Sequence, residues 1–188
     1  MRNVCLCLAV ILVVFVIPGM ASGGNVPAAG DRLVDMRLPP PPSADKQAYL
    51  GLSDSTSPFD PTTIPGQLLI IEIFSMYCPH CQREAPAVNR LYQAIETSEA
   101  LRGKVKMIGI GVGNSAFEVD HFRKHYKIEF PLFPDEDFVV HKAMGEVRTP
   151  FFIIVSIGTD DKGRILWSGT GKLDPLETFM DRLSGYLK

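Results

Sequence analysis

Between Leu68 and Phe74 the chain reads Leu-Leu-Ile-Ile-Glu-Ile-Phe, and shortly beyond that run stand two cysteines three residues apart, Cys78 and Cys81. A nearly continuous apolar run of this kind marks a strand buried on both faces of a sheet, here interrupted only by Glu72. After the cysteines, apolar residues recur at Ala85, Val88, Leu91, Tyr92 and Ile95. That is a helical stripe, and it predicts a long helix that Gly103 closes as a C-terminal cap. The two sulfurs therefore stand where a central strand passes into a helix, and any fold for this chain has to be built around that junction.

The remaining elements follow from the same periodicities. Val105 to Val112 is a second buried strand, and Ser115 with Glu118 forms a capping box ahead of a helix through Val119, Phe122 and Tyr126. A short helix around Phe138 to Met144 leads to Thr149-Pro150. The strand Phe151 to Ile157, a turn at Asp160-Asp161-Lys162-Gly163 and the strand Arg164 to Ser168 then make a hairpin. Asp174-Pro175 with Glu177 supplies the N-cap of a last helix that turns Leu176, Phe179, Met180, Leu183 and Leu187 inward. The order is βαβα followed by ββα, an α/β fold with a central mixed sheet flanked by helices. A chain of 188 residues, 46% hydrophobic and 21% charged, suits one such domain and excludes a disordered tail protein.

Residues 22–66 precede that domain, which occupies 67–188. They are rich in breakers, with Pro39 to Pro42, Pro58, Pro61, Pro65 and Gly66 around the apolar patches Leu33-Val34 and Tyr49-Leu50. They read as an extension carrying one or two edge strands. Residues 1–21 have a different character: Arg2, an apolar run from Leu6 to Ile17, a Pro18-Gly19 break and a small residue at Ala21. This is the pattern of a signal peptide cut after Ala21, too short in its apolar run for the roughly 20 residues that span a bilayer. The expected destination is outside the cytoplasm, the bacterial periplasm, with membrane contact only if the leader stays attached.

Cleavage would remove Cys5 and Cys7 and leave a single Cys-x-x-Cys pair in an oxidising compartment. It would also leave 18 basic against 21 acidic residues, a formal charge of −3. No basic field exists to hold nucleic acid, so that class of partner is excluded.

Cys78-Pro79-His80-Cys81 at a helix start is an arrangement for thiol chemistry. The unpaired N–H groups and positive dipole end of the helix favour a thiolate at Cys78, the attacking sulfur. Pro79 suits the first helical position. Cys81, one turn on, can close a small ring onto Cys78 and expel a substrate held there as a mixed disulfide. A structural disulfide across so short a loop would remove little chain entropy, and a structural zinc wants four ligands that the mature chain does not supply. His80, as a partly charged imidazole beside the helix end, would further stabilise the Cys78 thiolate, making the disulfide easier to reduce and the pair more oxidising towards substrates. Glu72, an acid inside an apolar strand, either has its pKa raised and a task to perform or faces an edge.

The segment Ile71-Glu72-Ile73-Phe74-Ser75-Met76-Tyr77-Cys78-Pro79-His80-Cys81, with Pro86 five residues on and Thr149-Pro150 before a strand, resembles the thioredoxin superfamily from Gln67 to the C-terminus. The extension, Cys81 to Pro86 and Gly163 to Gly169 are most similar to exported TlpA/ResA-type proteins, whereas Cys-Pro-His-Cys resembles the DsbA oxidases. Tyr77 stands where many members carry Trp; the only Trp is Trp167. The resemblance implies a thioredoxin-like fold and a thiol-disulfide oxidoreductase acting on substrate proteins, recycled by an unidentified redox partner protein. No cofactor beyond the redox-active disulfide is implied. It further implies that Glu72 exchanges protons with Cys81, and that Thr149-Pro150 is a cis-proline loop whose backbone edge pairs with an extended substrate. Without it, a trans proline opening a strand is the plainer reading.

Other signals are weaker. Ser75 stands three before Cys78 where a peroxiredoxin would carry Thr, which disfavours peroxidase chemistry. Gly109 to Asn114 hints at a dinucleotide loop but lacks its third glycine, and a tight turn explains it. His121 and His125, four apart, have no obvious third metal ligand, and His141 beside Lys142 reads as a surface residue. A copper-binding metallochaperone using the same two cysteines is the alternative of a different class.

Overall fold

The computed structural model describes residues 25–52, 56–158 and 160–187; the expected signal peptide, with Cys5 and Cys7, lies outside them. A five-stranded mixed sheet runs β3-β2-β1-β4-β5, with β1 Leu68–Phe74, β2 Val105–Val112, β3 Leu132–Asp135, β4 Phe151–Ser156 and β5 Ile165–Thr170. β1 pairs parallel with β2 and antiparallel with β4, so both of its edges are occupied. All seven of its residues are buried, which is why its sequence is apolar without alternation.

Period-two geometry splits those residues between two cores. Leu68, Ile70 and Phe74 face one side together with Cys81, Ala85, Val88, Leu91 and Ile95 of α2 (Pro79–Thr97), Val119 and Phe122 of α3 (Ala116–Tyr126), and Phe179 and Leu183 of α5 (Leu176–Tyr186). Leu69, Ile71 and Ile73 face the other side, against Met36, Leu38, Leu50, Phe59 and Ile64 from the extension and Val140 of α4 (Val139–Ala143).

The extension is therefore a covering layer. The expected edge strands are absent from its described residues, which carry α1 (Ala44–Leu50), a 3-10 turn at Pro61–Thr63 and two isolated bridges, Arg32 with Arg164 and Leu38 with Phe59. The prolines limit ladder hydrogen bonding, and the apolar residues still reach the sheet one by one. Tyr49, expected on a strand, sits on α1, where its hydroxyl accepts the Met107 N–H at 2.9 Å and its carbonyl accepts from Lys106 at 2.7 Å. Each buried Leu or Ile here contributes about 2 kcal/mol of transfer free energy.

The structure departs from the local expectations at five points. The long helix ends at Thr97 with Ser98 as its cap, and Gly103 (φ +75°) serves the following turn instead. β3 was not expected, because four residues containing Pro134 carry too little period to register. Pro175, not Asp174, is the N-cap of α5; Asp174 accepts from Arg182 at 2.7 Å. Leu176, expected inward, is 39% exposed. The glycine run is mostly strand: a Cβ on Gly109 would stand 2.4 Å from Leu132, so close packing against β3 requires glycine there, and only Gly113, at φ +61°, is a turn glycine.

Candidate active site

β1 delivers the chain to Ser75, and a turn closed by the Cys78 N–H on the Ser75 carbonyl (3.1 Å) swings Cys78 to the N-cap of α2. Pro79 takes the first helical position, where its missing N–H costs nothing. The Cys81 N–H points at Cys78 Sγ at 3.5 Å, and the same sulfur lies 3.4 Å from the Thr149 carbonyl. Both cysteines are free thiols.

Their surroundings differ. Cys78 is partly exposed; burial pushes its thiol up, but the Thr149 side chain and the N–H groups of Cys81 and His80 outweigh that and hold it below the ordinary thiol value. Cys81 has no exposed surface. Burial drives its thiol far up, with Cys78 and the Glu72 charge adding to the rise, and the Ser75 backbone N–H opposes it. The pair is thus poised as one ready nucleophile and one thiol that must lose a proton before it reacts.

Glu72 lies under Cys81. It is 2% exposed and paired in register with Gly109 on one side and Phe152 on the other, so it occupies the middle of the sheet; the edge-facing alternative does not hold. Burial first, and the neighbouring charge of Glu84 second, raise its carboxyl to about 8. Glu84 is itself 8% exposed and accepts the Leu173 N–H at 3.0 Å. Two acids therefore share the floor of the site. Glu84 was not picked out from the sequence, although a signal was present: it stands three residues after Cys81, on the helix face that otherwise holds Ala85 and Val88.

The Thr149-Pro150 bond is cis, as the resemblance implied. Pro150 is buried and its carbonyl accepts the Gly171 N–H at 2.8 Å, which fixes the loop against the end of β5. The fold thus gathers Glu72, Cys78, Pro79, Cys81, Thr149 and Pro150. His80 is exposed, and its Nδ1 lies 2.9 Å from the Arg83 guanidinium, a group with donors only; what His80 presents to Cys78 is its backbone N–H. Two further residues take roles that their sequence positions do not announce. Tyr77 hydrogen-bonds Glu118 at the start of α3, and Asn114, wholly buried, accepts the Met76 N–H at 2.8 Å.

A strand-to-helix dithiol facing a cis-proline loop on this sheet defines a protein of thioredoxin-like fold. The AhpC/TSA family profile matches residues 32–168, and the chain belongs to that family. Among curated proteins, the thiol-disulfide oxidoreductase ResA of Halalkalibacterium halodurans is 26% identical over 120 residues, 63% of this chain and 63% of that protein. ResA of Geobacillus thermodenitrificans is 23% identical over 112 residues, 60% and 59% of the two chains. This chain thus spans less than two thirds of the length of either relative. StoA from Bacillus subtilis is similar over 86% of this chain and 100% of its own, with 19% identity and a TM-score of 0.54. A secreted Mycobacterium tuberculosis disulfide oxidoreductase covers 70% of this chain and 88% of its own, with 22% identity and a TM-score of 0.51.

Proposed function

We propose that this chain is an exported thiol-disulfide oxidoreductase that passes electron pairs between its Cys78–Cys81 couple and substrate proteins. The observation that carries the reading is the division of labour between the sulfurs: Cys78 faces the Thr149-Pro150 loop with its thiol pKa lowered, while Cys81 is buried above Glu72 with its own raised. The ResA relatives are named for the same activity.

In the reducing direction, the Cys78 thiolate attacks a substrate disulfide, forming a Cys78–substrate disulfide and releasing the other substrate sulfur as a thiolate. Cys81 gives its proton to ionised Glu72 and attacks Cys78 Sγ. The internal disulfide forms and the second substrate sulfur leaves, so two electrons pass to the substrate. In the oxidising direction, a substrate thiolate attacks Cys78 of the disulfide and expels Cys81, which takes a proton from Glu72. With a carboxyl raised to about 8, Glu72 is mostly protonated at neutral pH and so loaded for this second role, acting as base through its minor ionised form. Thr149 and Pro150 seat the extended substrate segment. The net direction follows from the potential of the couple and from the redox partner protein.

Export rests on residues 1–21, and the periplasm is the compartment proposed. No cofactor beyond the cysteine pair is needed for this chemistry. Among the described residues no observation favours the copper-binding alternative. Reduction of insulin disulfides at the expense of dithiothreitol tests the proposal. The wild-type protein should accelerate it and a Cys78→Ser, Cys81→Ser double variant should not; equal rates for the two would refute the activity.

A further inference from the structure

The stretch Ser75–Tyr77 contacts both cysteines: its Ser75 N–H faces the Cys81 thiol, and its Ser75 carbonyl takes the backbone N–H of Cys78 at 3.1 Å. Such a connecting segment has no ladder of its own to hold it. Besides the turn bond to the Ser75 carbonyl and the Tyr77–Glu118 contact, it is held by a pair of side chains from other elements that grip one residue at both of its backbone polar atoms. The Met76 N–H donates to Asn114 Oδ1 at 2.8 Å, and the Met76 carbonyl accepts from Gln82 Nε2 at 2.7 Å.

Asn114 belongs to the turn between β2 and α3, 38 residues away, and its side chain is fully buried beside Gly111. No protein group among the described residues pairs with its Nδ2. A buried amide with an idle donor is an unfavourable way to fill space. An apolar side chain would fill it without that cost, so it is the acceptor half that accounts for an asparagine at this position.

We propose that Asn114 and Gln82 act as a clip on the Met76 peptide, and that this clip is what positions Cys78 and Cys81 for exchange. Both are positioning residues, since they act through Met76 and not on substrate. This rests on the proposed oxidoreductase reading and deepens it by naming what sets the reactivity of the site.

The test follows alkylation of each cysteine by iodoacetamide across pH in the reduced full-length protein, read by mass spectrometry, alongside thermal unfolding. Asn114→Leu removes the acceptor at similar volume. It should slow Cys78 alkylation at neutral pH by about threefold or more and move its pH midpoint upward. Gln82→Met removes the donor from a half-buried position, should act in the same direction, and carries the test if Asn114→Leu does not fold. Asn89→Leu is the control: Asn89 bonds the Tyr126 and Lys127 carbonyls, far along α2, so its loss should lower thermal stability and leave the Cys78 profile where it was. A wild-type profile in the folded Asn114 or Gln82 variants, or an equal displacement in Asn89→Leu, would overturn the clip. Failure of the wild-type protein in the insulin assay is a separate result, and counts against the activity alone.

Discussion

Cys78 and Cys81 share one turn of one helix, yet they stand in different media. The mouth of the site is partly solvated and rich in donors, from the start of α2 and the Thr149 side chain, and the neighbouring Tyr77 is exposed and tied to Glu118. The floor is dry and acidic, with Cys81 at 0% and Glu84 at 8% exposure on the buried face of the same helix and Glu72 at 2% on β1. Water and donors stabilise a thiolate, whereas burial beside carboxylates stabilises a thiol. A three-residue spacing therefore suffices to make two chemically different sulfurs, provided that a sheet face lies under one and open groove beside the other.

The most severe way to break this contrast is to remove the mouth. Cys78→Ser should abolish exchange in the insulin assay, while Cys81→Ser should retain attack and stall, so that a substrate disulfide on Cys78 accumulates and is seen as added mass. If Cys78→Ser kept activity, the assignment of attacker and resolver would be wrong.

Altering the floor should do less, and with a pH signature. Glu72→Gln should slow resolution of the mixed disulfide by about a hundredfold, the lower range for a lost acid–base group. The wild-type resolving rate should rise with pH up to about 8 and level off, and the variant should lose that dependence. Stability carries the same mark. Folded Glu72 keeps its proton to about pH 8 whereas an unfolded carboxyl loses it near 4.5, so the stabilisation is complete below the ordinary value and is lost as pH rises through about 8. Denaturant melts of wild type and Glu72→Gln across pH 5 to 9 would show that slope in the first and its absence in the second.

Changes remote from both regions should separate folding from chemistry. Leu38, 1% exposed on the opposite face of the sheet, should cost about 3 kcal/mol when truncated to Ala and leave exchange by the folded protein unchanged. Tyr77→Phe should be the mildest, within about twofold in rate, because it removes one hydrogen bond at an exposed position. A larger effect would show that the Tyr77–Glu118 contact shapes the mouth.

Legibility from sequence followed the same divide. The central strand, the helix start and the cysteine pair could be read because each rests on local patterning: seven apolar positions, a 3.6-residue stripe, a proline at the first turn. Glu72 was legible as an anomaly within a strand. Glu84 and Asn114 were missed because their meaning is tertiary: one gains it from the carboxylate across the core, the other from a peptide 38 residues upstream. The extension was misread for a related reason. Proline spacing announced broken secondary structure, and only the assembled sheet shows that Leu38, Leu50 and Ile64 are its missing cover.

The sharpest single measurement is the titration of each thiol in the reduced protein, by carbon-13 NMR of cysteine-labelled material. Cys78 should ionise below the free-cysteine value, and Cys81 should remain protonated far above it. Two sulfurs titrating together, or Cys81 ionising first, would contradict the account.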